Sequence, residues 1–539
     1  MIDSNNLQEE DSMKTKVFTT ITLSALLAFG GINEAEAAQN VQVTLPRFDV
    51  TLNGHMIDND SRQYPLILYK GITYFPMTYY DSRFLGLYTL WDAENGLGVY
   101  TYDGVSAYHI DTTGTKNRKS DVAQIAQGKI TVNGLYIDNK AEKYPLLLFR
   151  DVTYFPLTWR FAVNEFGWSY RFDNTNGLVI DGANIKTESV LLSDGRNNKE
   201  ENVRFDFAVD EKNLYYQGQQ GGIYQRPLSA ISDFAQRKTI AEIPYEDDYS
   251  TGYPHATLYE ENGDVYYQYH SGGATFGGNY LYKIDGTQAP QRILNRTYDD
   301  YTAFDGFGIR TFGPAVGSAG LGIVYVAEDG TMKSIGSEQY KYYVQADSYD
   351  KERNNLYVTA QQYSESTNRM TQGALYELNL STGELNKLSD SAHENYDVTR
   401  DAIYYQALQK LFMLDLNTKK ETVIVSSADF VYNYAATDKG VFYASVENQN
   451  ALSFWNKEDG NTAIINPDYA VTKLYSQNGY VVVHFEEKPG NQHRLMVFDA
   501  NGNQVFSTMD VADKAVINKD GVMVYRLDGT AQMVKVTIQ

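Results

Sequence analysis

Cysteine is absent from all 539 residues. Its absence removes disulfides, thiolate metal sites, thiol nucleophiles and lipid attachment through a lipobox cysteine together. Proline is scarce, at 12 residues, and beyond the N-terminal region no stretch offers the roughly 18 uninterrupted apolar residues of a membrane span. Bases are outnumbered, with 46 Lys and Arg against 68 Asp and Glu, for a formal charge of −22. Without clustered bases a chain has little means of displacing the counterions around phosphate, so nucleic acid is not expected as a partner and anionic lipid is repelled. A solvated acidic surface that keeps the chain soluble accounts for the charge.

Aromatic residues, by contrast, are plentiful. There are 45 Tyr and 24 Phe, and 42% of the chain is hydrophobic, enough apolar surface to offset the entropy lost on folding. Tyrosine packs its ring on a pleated surface while its hydroxyl stays wet, so this usage predicts β-rich architecture. The length predicts two to four domains.

Near the N-terminus, Met13-Lys14-Thr15-Lys16 reads as a short basic stretch and Val17 to Phe29 as an apolar one. Ala35-Glu36-Ala37 follows with the small-x-small form of a signal-peptidase site. Residues 1–37 are therefore expected to be a removable export signal, with Met13 the expected true start because Asp3, Glu9, Glu10 and Asp11 form an odd acidic extension ahead of it. Cleavage before Ala38 removes six acids and two bases, so the mature charge is −18 and still acidic. An exported chain without cysteine fits a Gram-positive exterior, secreted or wall-associated, with no membrane contact once the signal is gone.

The strongest internal signal is a duplication. Val50-Thr51-Leu52-Asn53-Gly54 returns 80 residues later as Ile130-Thr131-Val132-Asn133-Gly134. At the same offset Tyr64-Pro65-Leu66 matches Tyr144-Pro145-Leu146, and Thr73-Tyr74-Phe75-Pro76-Met77-Thr78 matches Thr153-Tyr154-Phe155-Pro156-Leu157-Thr158. Asp92 with Asn95-Gly96-Leu97 then matches Asp173 with Asn176-Gly177-Leu178 at 81, one inserted residue later.

Asn-Gly between β-formers predicts a type I′ hairpin in each copy. Pro76 and Pro156 are placed as first helical residues and Gly86 and Gly167 as left-handed C′ residues, with a helix of two to three turns between them. Asp92 to Gly96 and Asp173 to Gly177 read as hairpin turns; as calcium loops they offer too few ligands. Tyr74, Phe75, Tyr154 and Phe155 read as buried strand residues, with an exposed sugar-stacking face as the alternative.

In this order of motifs, residues 42–110 and 121–184 resemble the copper amine oxidase N-terminal-like domain, found in tandem on secreted Gram-positive proteins. The resemblance implies an accessory module of the cell envelope. The oxidase site itself is not expected: Asn395-Tyr396-Asp397 spells the quinone precursor triplet, but Ala392 stands where the motif needs Thr and there is no His-x-His pair.

Beyond residue 185 a looser pattern recurs, a turn residue, a branched aliphatic, then Tyr, Phe or Val. It runs from Asn213-Leu214-Tyr215-Tyr216 through Asp264-Val265-Tyr266-Tyr267, Gly322-Ile323-Val324-Tyr325 and Asn355-Leu356-Tyr357-Val358. Ala402-Ile403-Tyr404-Tyr405, Gly440-Val441-Phe442-Tyr443, Gly479-Tyr480-Val481-Val482 and Gly521-Val522-Met523-Val524 complete it. From Leu214 to Val522 the mean spacing is 44 residues, the size of a four-stranded propeller blade. The last copy runs out before its outermost strand, and Glu188 to Asp194 reads as the missing one, which favours eight blades over seven for residues 185–539. This signature is similar to the low-density-lipoprotein-receptor-like propellers of bacteria, domains of unknown function.

Histidines His55, His109, His255, His270, His393, His484 and His493 are scattered without metal spacing, and no nucleophile elbow, phosphate loop or dinucleotide fingerprint is present. The sequence singles out no catalytic residue, no metal ligand, no cofactor and no binding residue. The expected fold is mainly β, two small α+β modules followed by a propeller. The expected function is recognition of a cell-wall polymer or extracellular protein by a propeller face. The alternative is a polysaccharide hydrolase or lyase working through carboxylates brought together across blades.

Overall fold

The computed structural model describes residues 39–538 apart from 110–112, 114, 183–187, 192–205, 219–220, 245–253, 273–276, 285–288, 314–319, 427–430, 447–448, 467–468, 487–492, 529 and 531. The expected export signal and Leu192 to Asp194 of the expected closing strand lie outside these residues. Among the described residues no helix is long and apolar enough to cross a membrane.

The two copies of the duplicated segment do not form separate bodies. Asn40–Thr44, Ile67–Tyr69 and Ile72–Pro76 from the first close a six-stranded barrel with Ser120–Ile125, Leu147–Phe149 and Val152–Pro156 from the second. The copies meet where Phe75 pairs with Phe155. Two further sheets are shared: Gly96–Thr101 runs parallel to Ile130–Val132, and Gly177–Asp181 runs parallel to Val50–Leu52. One apolar core containing Phe75, Phe84, Val99, Phe155, Phe161 and Trp168 serves both.

The Asn-Gly turns do more than reverse the chain. Asn53 (φ 44°) and Gly54 (φ 83°) take the left-handed pair of conformations a type I′ turn requires. The Asn53 amide also donates to Phe84 O at 2.6 Å, and its carbonyl accepts from Gly182 N of the other copy at 2.7 Å. Asn133 repeats both bonds, to Glu165 O and from Thr101 N. One side chain thus satisfies an orphan carbonyl at a helix end and ties the two copies together.

The helices differ from expectation. Pro76 and Pro156 end strands and do not open helices; the helix starts are Tyr79 and Trp159, with Thr78 and Thr158 as N-caps. A strand end tolerates a missing N–H, and the threonine hydroxyl accepts the free amide two residues into the helix. The first helix, Tyr79–Phe84, is a bare turn and a half, and the second, Trp159–Glu165, is one residue longer with a widened π-type turn, Phe166 N donating to Phe161 O. The inserted residue that shifts the repeat from 80 to 81 is absorbed in that bulge. Gly86 (φ 80°) and Gly167 (φ 69°) take the left-handed conformation expected of them.

From Glu188 onward the described residues form eight sheets with four principal strands each, the fourth sheet carrying two short extra strands. The first comprises Phe207–Val209, Asn213–Gln217, Gly222–Pro227 and Lys238–Glu242. The eighth combines Ala512–Ile517, Val522–Leu527 and Gln532–Thr537 with Glu188–Leu191, which pairs antiparallel to the C-terminal strand. Shared apolar clusters link each sheet to the next all the way round: Phe207 and Tyr216 of the first pack with Val516, Val524 and Met533 of the eighth. Lys514 spans the same junction, its ammonium donating to Asp206, Phe207 O and Leu258 O at 2.6, 2.7 and 2.9 Å. Successive sheets packed face to face in a closed cycle are the architecture of a β-propeller.

One repeat falls one strand later than the others. Seven of the Tyr-rich segments are second strands, but Gly322-Ile323-Val324-Tyr325 falls on the third strand of the third sheet, Ile323–Ala327; the second is Phe307–Thr311. Its Gly308 leaves room for the Tyr301 ring, so the expected bulky pattern is broken there.

The barrel is seated on the seventh and eighth sheets. Val105 N donates to Ser507 O, Ala107 N to Asp510 Oδ2 at 2.7 Å, and the Tyr102 hydroxyl meets Ser507 Oγ at 3.0 Å. Val105 and Ala107 are buried in the same cluster as Val497, Phe506 and Tyr525.

Candidate functional site

On or beside the inner strands of the propeller stands a series of side chains that each accept a backbone N–H from the next sheet. Asp206 accepts from Leu258 N at 2.9 Å, Glu261 from Ala303 N at 2.7 Å, Asp347 from Val398 N at 2.8 Å, Asp397 from Ala436 N at 2.7 Å and Gln477 from Ile517 N at 3.1 Å. Inner strands have no neighbour on their axial edge, and these acceptors satisfy amides that strand pairing leaves free.

Three of these carboxyls stand in surroundings that disfavour charge. Burial pushes Glu261 up to about 7 and Asp347 up to about 6, and burial plus the neighbouring Asp347 carboxylate pushes Asp397 up to about 7. Asp347 nonetheless keeps surface open to solvent. It lines a hollow of about 660 Å³ formed where the first-to-second-strand turns of the fourth to seventh sheets converge, with Arg353, Arg400, Asp438 and Asn478 among its walls.

Two of the three basic side chains of this hollow are ion-paired, and of its four acids Asp350 is. Lys351 pairs with Asp305 at 3.0 Å, Arg353 with Asp350 at 2.5 Å, and Asp438 accepts from Arg400 N at 3.2 Å. The Arg400 guanidinium alone among the described basic groups of the wall has no protein partner. Such a wall offers hydrogen bonds and one cation to a polar ligand.

The residues singled out by sequence lie elsewhere. Tyr74, Phe75, Tyr154 and Phe155 are at most 1% exposed, filling the barrel and the core beneath it, so they make no sugar-stacking face. Asp92 and Asp173 cap their own turns, accepting from the backbone of Glu94 and Asn95 and of Thr175 and Asn176, and these bonds hold both carboxyls below their usual range. Tyr396 is buried and donates to Tyr357 O at 2.8 Å, a packing role for the quinone-like triplet.

The histidines are dispersed. His55 stacks on Tyr108 and His109 on Tyr80, His270 bonds Asn279, and His493 bonds Ser507. His484 bonds Ala512 O, and burial, with Lys473 nearby, pushes it down to about 4. His255 and His393 are exposed. Among the described residues no group of three metal-binding side chains comes together.

Sequence reasoning missed Glu261, Asp347 and Asp397. Each precedes a Tyr-rich second strand, but by four, nine and six residues from its branched aliphatic, so no fixed spacing marks them.

Fold and site together define a β-propeller protein. Solved structures with a similar shape include dipeptidyl peptidase 4 of Porphyromonas gingivalis, at 10% identity and TM-score 0.40 over 60% of this chain and 56% of that one. Saccharomyces cerevisiae Sqt1 is 9% identical, TM-score 0.37, over 62% and 95%. BamB from Moraxella catarrhalis is 9% identical, TM-score 0.27, over 62% and 84%. Likenesses this distant do not say what the chain does. No family model matches the chain and no curated protein is significantly similar to it, so the resemblance to the copper amine oxidase N-terminal-like family rests on the residues quoted above.

Proposed function

We propose that the chain is an exported binding or scaffold protein of the cell surface, secreted or held at the wall, with its eight sheets acting as one eight-bladed ring. In this reading residues 1–37 are removed and the doubled segment is the accessory envelope module. The ring, residues 185–539, recognises a cell-wall polymer or extracellular protein through the face that carries the 660 Å³ hollow. The observation that carries it is the character of that hollow: wide and polar, two of its three bases ion-paired, with the Arg400 guanidinium left to meet a ligand.

Co-sedimentation of the secreted chain with purified wall fractions tests it. Arg400→Glu, an exposed change with no core consequence, should weaken retention at least tenfold, about 1.4 kcal/mol, while Asp528→Asn, outside the hollow, should not. Equal retention of both variants contradicts the assignment.

A second reading has one specific observation in its favour. Burial raises both Asp347 and Asp397, and Asp397 also feels the Asp347 charge, an environment of the kind in which a carboxyl serves as a general acid. Against it, each is already bonded to a backbone amide of the neighbouring sheet.

A further inference from the structure

We propose that a second hollow, between the fourth and fifth sheets at the other end of their inner strands, binds a neutral sugar unit. It measures about 380 Å³, within the roughly 300–1,000 Å³ of small-ligand sites and suited to one or two pyranose rings.

Small side chains on two neighbouring sheets leave the space open. Four residues after the branched aliphatic of each second strand, the second sheet has Tyr269 and the seventh has Phe485, both buried and filling their surroundings. The fourth and fifth sheets have Ala360 and Ala407 at that position, and Ala392 and Gly373 complete the floor. Gly218, Gly313 and Ser445 of the first, third and sixth sheets are small at this level too, but in the fourth and fifth sheets two such residues lie side by side beneath one opening.

The rim defines the ligand class. No Lys or Arg lines the hollow, which argues against phosphate, sulfate or carboxylate ligands. Its one carboxylate, Glu394, is bonded to the Tyr343 hydroxyl, which argues against a cation. The side chains of Gln361, Gln372, His393 and Asn395 all border the space and have no hydrogen-bond partner among the described residues. Amides donate and accept side by side, the pattern that adjacent ring hydroxyls present. The Tyr343 ring and Leu408, which is 66% exposed and held at the rim on a left-handed turn residue (φ 50°), supply the apolar contact for a pyranose face.

Saturation-transfer NMR on the full secreted chain, with glucose, galactose and N-acetylglucosamine each at about 10 mM and glycerol and acetate as comparisons, tests the assignment. At least one sugar should receive saturation and glycerol and acetate should not. Ala407→Leu, which refills the floor, should reduce binding at least tenfold. Gln372→Ala with His393→Ala, both exposed and harmless to folding, should weaken it about threefold or more, a change of at least about 0.6 kcal/mol, while Arg400→Glu on the other face leaves it unchanged. The proposal is overturned if none of the sugars binds, if glycerol or acetate binds equally, if both rim and floor variants bind as before, or if Arg400→Glu abolishes the signal. These outcomes are independent of wall retention through Arg400.

Discussion

Asp81→Ala is expected to lower the stability of the barrel by about 3–5 kcal/mol. Asp81 and Arg62 form an ion pair whose side chains are 6% and 2% exposed, and Thr78 Oγ1 also donates to Asp81 Oδ2 at 2.8 Å. Removing the carboxylate leaves a guanidinium charge in the core without its counter-ion, the costly way to break a buried pair. The duplication provides the control. At the matching positions the second copy has Glu142 and Phe161, and Phe161 is 1% exposed in the shared core. A double change, Arg62→Leu with Asp81→Phe, should therefore recover most of the loss in urea unfolding. If Asp81→Ala alone unfolds like the unmodified chain, the pair contributes nothing.

Asp397→Asn should change the pH dependence of stability. The folded carboxyl is raised to about 7 by burial and by Asp347, from roughly 3.9 in an unfolded chain. Between these values the folded state holds the proton more tightly, so this group's contribution is fully favourable below pH 4 and is lost as pH rises through 7. Asparagine keeps an acceptor for Ala436 N and cannot ionise. The variant should match the unmodified chain near pH 4 and exceed it at pH 8 by on the order of 1–2 kcal/mol, less than the full shift because the site retains solvent access. An equal loss of stability at both pH values would mean that the carboxylate is ionised and stabilising.

Local chemistry was the legible part of this sequence. Asn53-Gly54 and Asn133-Gly134 announce their turns because positive φ at two successive positions admits few residue pairs. The propeller repeat was readable because each second strand is buried on both faces and must be apolar, as Leu214 to Tyr216 and Ile403 to Tyr405 are. Pairing between distant segments was not readable. Nothing in Val50-Thr51-Leu52 states that its neighbour is Gly177–Asp181, so two copies in tandem looked like two modules when they share one barrel. The second strand of the third sheet lacks the pattern for a local reason, the glycine at 308 that admits Tyr301. The inner carboxylates stayed hidden because their role depends on the next sheet's amides, which sequence spacing does not encode.

In the proposed function this chain acts through the shape of a ring face and not through reactive side chains. The direct measurement is release of new reducing ends from purified wall polysaccharide, made alongside retention, for the unmodified chain and for Asp347→Asn with Asp397→Asn. Retention of both proteins with no reducing ends above the protein-free background is the predicted result. Release by the unmodified chain that disappears in the double variant would contradict it and make the carboxyl pair an active site.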